Sequence, residues 1–166
     1  MVNVMLSKEE IWHCLAEIPD PDIPVINITE LGLVRNVDIH NDKVTISVTP
    51  SYSGCPAMQF FKTEIVSALK NKGINEVEVK TVYSPSWTTD WISSVTREKM
   101  RKYGIAPPEK VSLNKPALFS ENKKEMHCPW CNSNETTRTS QFGSTPCKAL
   151  WFCNSCLQPF EYFKCI

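Results

Sequence analysis

Cys128-x-x-Cys131 and Cys153-x-x-Cys156 are the residues of this sequence best suited to chemistry. Two thiols separated by two residues can grip one ion from a tight turn. Two such turns brought face to face supply a tetrahedral four-sulfur site. Residues 126–166, which hold both pairs, are too few to bury a core that stands by itself, so a structural ion would supply the missing stability. Zinc is the expected ion. A rubredoxin-like iron site uses the same ligands, but such knuckles usually carry glycine after the second cysteine, where Asn132 and Leu157 stand here. Cys147 in GSTPCK and Cys165 in YFKCI share the segment. Spacing alone reads them as packed thiols; the alternative is a second thiol pair able to hold a cluster or exchange metal. His127 adjoins Cys128 and reads as an exposed flank rather than a ligand.

Cys55 stands apart, in PSYSGCPAMQF (residues 50–60), where a strand-like run gives way to a helix-like one. Pro56 is favoured at the first position of a helix, because its missing N–H would be unbonded there anyway. Cys55 is therefore expected at or next to the N-cap, where free N–H groups and the positive end of the helix dipole favour a thiolate. Gly54 lets the backbone turn and keeps the approach open. Three readings follow: metal or cluster handling first, then a small cap residue tucked under the sheet, then redox or covalent chemistry. A nucleophile needs a base, and neither His13 nor His40 is locally paired with this thiol. Asp20 and Asp22, in PDPDIPV, sit on a proline-held turn, where carboxylates commonly cap the next backbone N–H groups. Hard oxygen ligation or proton transfer is their functional alternative.

The elements that position these groups follow from local signals. Ser7 and Glu10 form a capping box ahead of Ile11, Trp12, Leu15 and Ile18 at helical spacing, and PDPDIP must end that helix. LVRNVDIH and KVTISVTP alternate as strands do around a tight HND connection. AMQFFKTEIVSALKNKG carries Phe61, Ile65, Ala68 and Leu69 along one stripe and closes on Gly73. EVEVKTV reads as a third strand, and TTDWISSVTREKMRKYG as a last helix with Asp90 near its start and Gly104 as its stop. The expected class is α+β. A small α/β domain with a three-stranded mixed sheet, in the order α-β-β-α-β-α, spans residues 1–105. A proline-containing linker follows at 106–125, then a β-rich four-cysteine zinc ribbon at 126–166.

Composition narrows the function. Eighteen Lys and Arg balance eighteen Asp and Glu, which argues against a broad electrostatic footprint for nucleic acid or an anionic membrane surface. Within residues 126–166 only Arg138, Lys148 and Lys164 face Glu135 and Glu161, too little for a nucleic-acid-binding ribbon. No apolar run is long enough to span a bilayer, and the opening MVNVMLSKEE lacks the features of a signal peptide. A cytoplasmic setting is expected, in which eight cysteines serve as reduced thiols and metal ligands rather than disulfides.

DPDIPVINITELGLVRNV, VTPSYSGCPAM and YSPSWTTDWI together resemble the small metal–sulfur cluster assembly domain once called domain of unknown function 59. With GIAPP, the two cysteine hairpins, FGSTPCKALW and PFEYFKCI, nearly the whole chain resembles the D (or J) component family of the bacterial phenylacetyl-CoA ring epoxidase system. That resemblance implies an accessory role in aerobic phenylacetate degradation, in which the protein helps to mature the multicomponent oxygenase rather than turning over substrate. The implied cofactors are structural zinc on Cys128, Cys131, Cys153 and Cys156 and a transient iron or iron–sulfur cluster. Cys55 is the implied functional thiol and Asp20 and Asp22 its supporting acidic turn. The implied partners are the oxygenase and reductase subunits; self-association through sheet edges or helices stays open. The alternative role is an integral structural or electron-transfer subunit of the oxygenase.

Overall fold

The computed structural model describes residues 6–108 and 126–164. It divides between Ile92 and Ser93 into two compact units.

The first unit opens with α1, Lys8–Ala16, started by the expected capping box: Glu10 N donates to Ser7 Oγ at 3.2 Å and Ser7 N to Glu10 Oε2 at 2.7 Å. β1 (Val34–His40) and β2 (Lys43–Val48) pair antiparallel, joined through Asn41 and Asp42. Asn41 takes φ 53°, the left-handed conformation that a two-residue hairpin turn requires. α2, Ala57–Asn71, then returns the chain so that β3, Glu76–Thr81, lies parallel to β2. The sheet order is β1-β2-β3, mixed as expected.

One face of that sheet carries Val37, Val44, Ile46 and Val48, all buried against Ile11 and Leu15 of α1 and Phe61, Ile65 and Leu69 of α2. Each such aliphatic side chain contributes roughly 1.5–3 kcal/mol when withdrawn from water. By register the other face presents Asn36, Asp38 and His40, then Lys43, Thr45 and Ser47, then Glu76, Glu78 and Lys80. It is polar throughout, and Lys43 and Glu78 meet there at 2.7 Å. The unit is therefore two layers, helices on one side and solvent on the other.

The segment read as one last helix is two elements. A 3₁₀ turn over Thr89–Trp91 ends at Ile92, whose ψ of 120° leaves the helical region. α3 starts afresh over Ser94–Lys102, capped by Ser93 Oγ, which accepts from Thr96 N at 3.0 Å. The hydroxyl of Ser93 satisfies the new helix's free N–H groups, and Ile92 is buried in the first unit.

In the second unit α3 and a two-residue strand, β4 (Ile105–Ala106), accompany the ribbon. The ribbon strands are β5 (Thr136–Ser140), β6 (Lys148–Cys153) and β7 (Pro159–Phe163), and the sheet order is β4-β7-β6-β5. β4 pairs parallel with β7, so the start of the expected linker is an edge strand of the ribbon sheet. The compact units thus divide earlier than residue 105, with α3 and β4, which carry the buried Met100, Ile105 and Ala106, in the second unit. Ala106, Met126, Cys128, Ala149, Cys153, Phe160 and Tyr162 form its small core, with Trp151 and Cys156 packed against them. The remainder of the expected linker, 109–125, lies outside the described residues.

Candidate metal centre and the Cys55 corner

Two matching turns build the sulfur site. In the first, Asn132 N donates to Cys128 O and Cys128 N to Ser133 O, both at 2.9 Å. In the second, Leu157 N donates to Cys153 O at 2.9 Å and Cys153 N to Gln158 O at 3.0 Å. Asn132 and Leu157 both take φ 61°, so the positions where a glycine would be usual are left-handed here without one. Ser133 and Ser155 join the turns hydroxyl to hydroxyl at 2.7 Å, and Ser155 Oγ also donates to Glu135 Oε2 at 3.0 Å.

The four sulfurs lie within 4.8 Å of one another. Cys128 Sγ is 3.6 Å from Cys156 Sγ, and Cys131 Sγ is 3.5 Å from Cys153 Sγ. A tetrahedral zinc with bonds of about 2.3 Å sets its sulfurs about 3.8 Å apart, so the donor set fits that ion closely. Left to themselves, four thiols at one point cannot all ionise. Burial pushes Cys156 up to about 12 and raises Cys128, whereas the Cys156 backbone N–H draws Cys153 down to about 7 against the effect of its own burial. A dication at the centre favours the thiolate at every corner and removes that conflict. His127 is exposed, with Nδ1 3.2 Å from Asn132 O, and stands outside the sulfur group.

Cys147 is also outside that group; it is buried, with Sγ 3.0 Å from Thr145 Oγ1. Cys165, its expected companion, lies outside the described residues. Sequence reading missed two features of the ribbon. Trp130, between Cys128 and Cys131, lays its indole over Gly104 and donates from Nε1 to Pro159 O at 3.3 Å. Lys148 is almost wholly buried, with Nζ 2.9 Å from Glu161 Oε2. Burial raises the Glu161 carboxyl, but Lys148 and the two donors of Ser144 outweigh it and hold the group below the ordinary carboxylate range.

In the first unit the loops around Cys55 gather at the C-terminal ends of the parallel strands β2 and β3, where α/β sheets commonly place their sites. Thr49 N donates to Leu33 O and Val82 N to Val48 O, both at 2.8 Å. Cys55 closes a tight turn, its N–H bonding Tyr52 O at 3.3 Å, with Gly54 left-handed at φ 81°. A Cβ at Gly54 would meet nothing within 4 Å, so there is open space beside that glycine, next to the half-buried Cys55. Pro56 is the N-cap of α2 rather than its first residue, and Cys55 precedes it, half-buried, its carbonyl accepting from Met58 N at 3.2 Å.

Asp20 is buried and holds its own turn: Asp22 N and Ile23 N both donate to Asp20 Oδ1 at 2.8 Å. Asp22 is half-buried beside it. Two further motifs meet. Trp87 Nε1 donates to Leu31 O at 2.8 Å, and Trp91 packs against left-handed Gly32, where an added Cβ would come within 3.0 Å of Trp91 Cβ. A β-bulge at Arg35 turns its guanidinium onto the Trp91 ring, 3.6 Å from the centroid. The leucine-glycine-leucine-valine step and the two tryptophans are thus one packed structure. No local pattern in the sequence announces so distant a pairing.

Residues 8–82 match the iron–sulfur cluster assembly protein family, and residues 114–164 match the PaaD zinc beta ribbon domain. Over 157 residues the chain is 47% identical to an Escherichia coli K12 protein named as the D component of a "putative 1,2-phenylacetyl-CoA epoxidase", covering 95% of this chain and 92% of that one. The chain belongs to the PaaD family of phenylacetyl-CoA epoxidase components. Its first unit has further relatives in proteins named Fe-S protein maturation auxiliary factors. That of Porphyromonas gingivalis is 34% identical over 52% of this chain and 84% of its own length, and that of Bacillus subtilis 36% identical over 52% and 85%. A conserved hypothetical protein of Thermotoga maritima shares the fold of this part, with a TM-score of 0.50 and 28% identity over 57% of this chain and 94% of that one. Family and geometry agree on a four-cysteine metal-binding group in a zinc ribbon.

Proposed function

We propose that the chain assists the maturation of a phenylacetyl-CoA epoxidase by presenting iron or an iron–sulfur cluster from Cys55, while its ribbon, closed by structural zinc, engages the oxygenase or reductase subunits. The observation that carries this reading is the half-buried Cys55 thiol, next to open space at Gly54 and inside the stretch that matches the iron–sulfur assembly family. A thiolate is a soft ligand suited to iron, and a site that supplies few protein ligands can release what it holds. Asp20 holds the acidic turn in shape through Asp22 N and Ile23 N, and Asp22 on that turn is the hard-oxygen donor of this reading.

A factor of this kind is needed while its client is made, not while the client works. Cys55→Ala should fold, retain its ribbon metal, and yield an oxygenase short of iron or labile sulfide after co-expression with the other subunits. Wild-type protein added to a mature oxygenase should leave its turnover unchanged. An oxygenase fully metallated beside Cys55→Ala, yet dependent on this chain in every assay, would overturn the proposal in favour of an integral structural or electron-transfer subunit.

A further inference from the structure

The four ribbon cysteines differ in exposure. Cys131 is exposed, Cys156 is half-buried, and Cys128 and Cys153 are sealed in the core of the unit. The exposed residue's sulfur lies against that of a sealed one on the opposite turn: Cys131 Sγ is 3.5 Å from Cys153 Sγ. The remaining two, Cys128 and Cys156, face one another across the same gap at 3.6 Å. A disulfide needs its sulfurs about 2.05 Å apart, so each cross-turn pair is about 1.5 Å from bonding once the ion no longer holds it open. Each turn keeps its own backbone bonds through Asn132 and Leu157, and the Ser133–Ser155 contact keeps the turns together. Closing the two pairs therefore asks for side-chain rotation, not a refolding of either turn.

From this geometry, and resting on the zinc reading above, we infer that the ribbon is a hydroperoxide-responsive thiol switch. Cys131 is its entry point and Cys153 its resolving thiol. The Cys131 thiolate attacks the peroxide: an S–O bond forms, the O–O bond breaks, and the departing hydroxide takes a proton to leave as water. The sulfur has lost two electrons and the peroxide has gained them. The Cys153 thiolate then attacks the Cys131 sulfur. An S–S bond forms, the S–O bond breaks, and a second hydroxide leaves as water. With Cys131 and Cys153 joined, only Cys128 and Cys156 would be left to hold an ion, half of the donor set that would retain it. A second peroxide joins Cys128 to Cys156 in the same way, with protons from solvent balancing the four waters formed overall. The oxidised ribbon stays cross-linked between its turns, and a dithiol restores the four thiols by exchange. A metal module of this design reports peroxide by releasing its ion, in a protein family tied by name to an epoxidase.

The test uses the full-length protein. Metal analysis comes first: a preparation that binds no zinc refutes the zinc reading, and this inference with it. Zinc-loaded protein is then titrated with hydrogen peroxide in the presence of a chromogenic zinc chelator, and disulfides are mapped by mass spectrometry after acid quenching. Zinc should be released within about two equivalents of peroxide, with Cys131–Cys153 the first disulfide and Cys128–Cys156 the second. Dithiothreitol and zinc should then rebuild the site, read as protection of the four thiols from alkylation. Zinc that stays bound at several-fold peroxide excess would overturn the inference while leaving the zinc reading intact. So would a first disulfide within one turn, Cys128–Cys131 or Cys153–Cys156.

Discussion

Gly104 and Gly73 offer a matched pair for measuring how firmly the metal turn is tied to the rest of its unit. Both follow a helix and both take φ 91°. A Cβ at Gly73 would meet nothing within 4 Å, whereas one at Gly104 would lie 2.2 Å from Trp130 Cη2 and 2.3 Å from Cζ2. Gly73→Ala therefore carries the left-handed backbone cost alone, about 1–2 kcal/mol. Gly104→Ala carries the same cost and must also displace the indole by more than an ångström to restore ordinary carbon contact. That displacement breaks the Trp130–Pro159 hydrogen bond and costs about 1–3 kcal/mol more. Trp130 is 52% exposed and its ring can swing outward, which places the expectation in the lower half of that range. The expected total for Gly104→Ala is about 2–4 kcal/mol, or a fall of roughly 10–20 °C in the melting of the second unit. Thermal and urea unfolding followed by circular dichroism measure both variants. A Trp130→Ala background isolates the clash: there Gly104→Ala should cost no more than Gly73→Ala. Because Trp130 sits between two ligands, Gly104→Ala should also surrender zinc to a chelator at lower concentration than wild type. Equal losses for the two glycines, or a Gly104 cost untouched by removing the indole, would refute the claim that this tryptophan clamps the turn to the end of α3.

Two further outcomes test the polar supports. Asp20→Ala should cost about 1–3 kcal/mol of stability in the first unit, since it orphans the N–H groups of Asp22 and Ile23, while Asp20→Asn, which keeps an acceptor, should recover most of it in denaturant titrations. The Glu161 carboxyl is held below its ordinary range by Lys148 and Ser144, so its contribution is present above the unfolded carboxylate value and is lost as pH falls through the lower folded value. Glu161→Gln should therefore narrow its stability gap from wild type between about pH 5 and pH 3, read as the difference of the two acid-unfolding curves, in which thiolate protonation is common to both. A gap that stays constant across that window would refute the assignment.

How much the sequence discloses depends on how local the cause is. Ser7 and Glu10 sit three residues apart and satisfy each other's backbone, so α1's start is legible from four residues. The same holds for the Asn41–Asp42 hairpin and for the paired cysteine turns, whose spacing is itself the chemistry. The break at Ile92 is harder, because helical periodicity runs through it; the readable signal was Ser93 three residues before Thr96, a second N-cap inside the run. β4 is two residues long and exists only because β7 offers a parallel edge from the far end of the chain. Trp87 on Leu31, Trp91 on Gly32 and Arg35 on Trp91 are contacts of long sequence separation, fixed by the sheet rather than by any neighbour.

Cysteine is used in two opposite ways along the chain. At the ribbon, four sulfurs close on one point, two of them sealed from water, and the backbone around each turn is satisfied. An ion there completes its coordination from the protein alone and becomes part of the fold. At residue 55 a single half-buried thiol stands next to Gly54, where an added Cβ would meet open space. Cys55 belongs to no group of three or more candidate metal ligands among the described residues, so an ion or cluster met there would take part of its coordination from a client or a small thiol. Retention needs a full set of ligands and release needs a short one, so the two sites fit a holder and a donor respectively. In the proposed maturation role that difference in ligand number, rather than any difference in ligand chemistry, separates the metal that stays from the metal that moves.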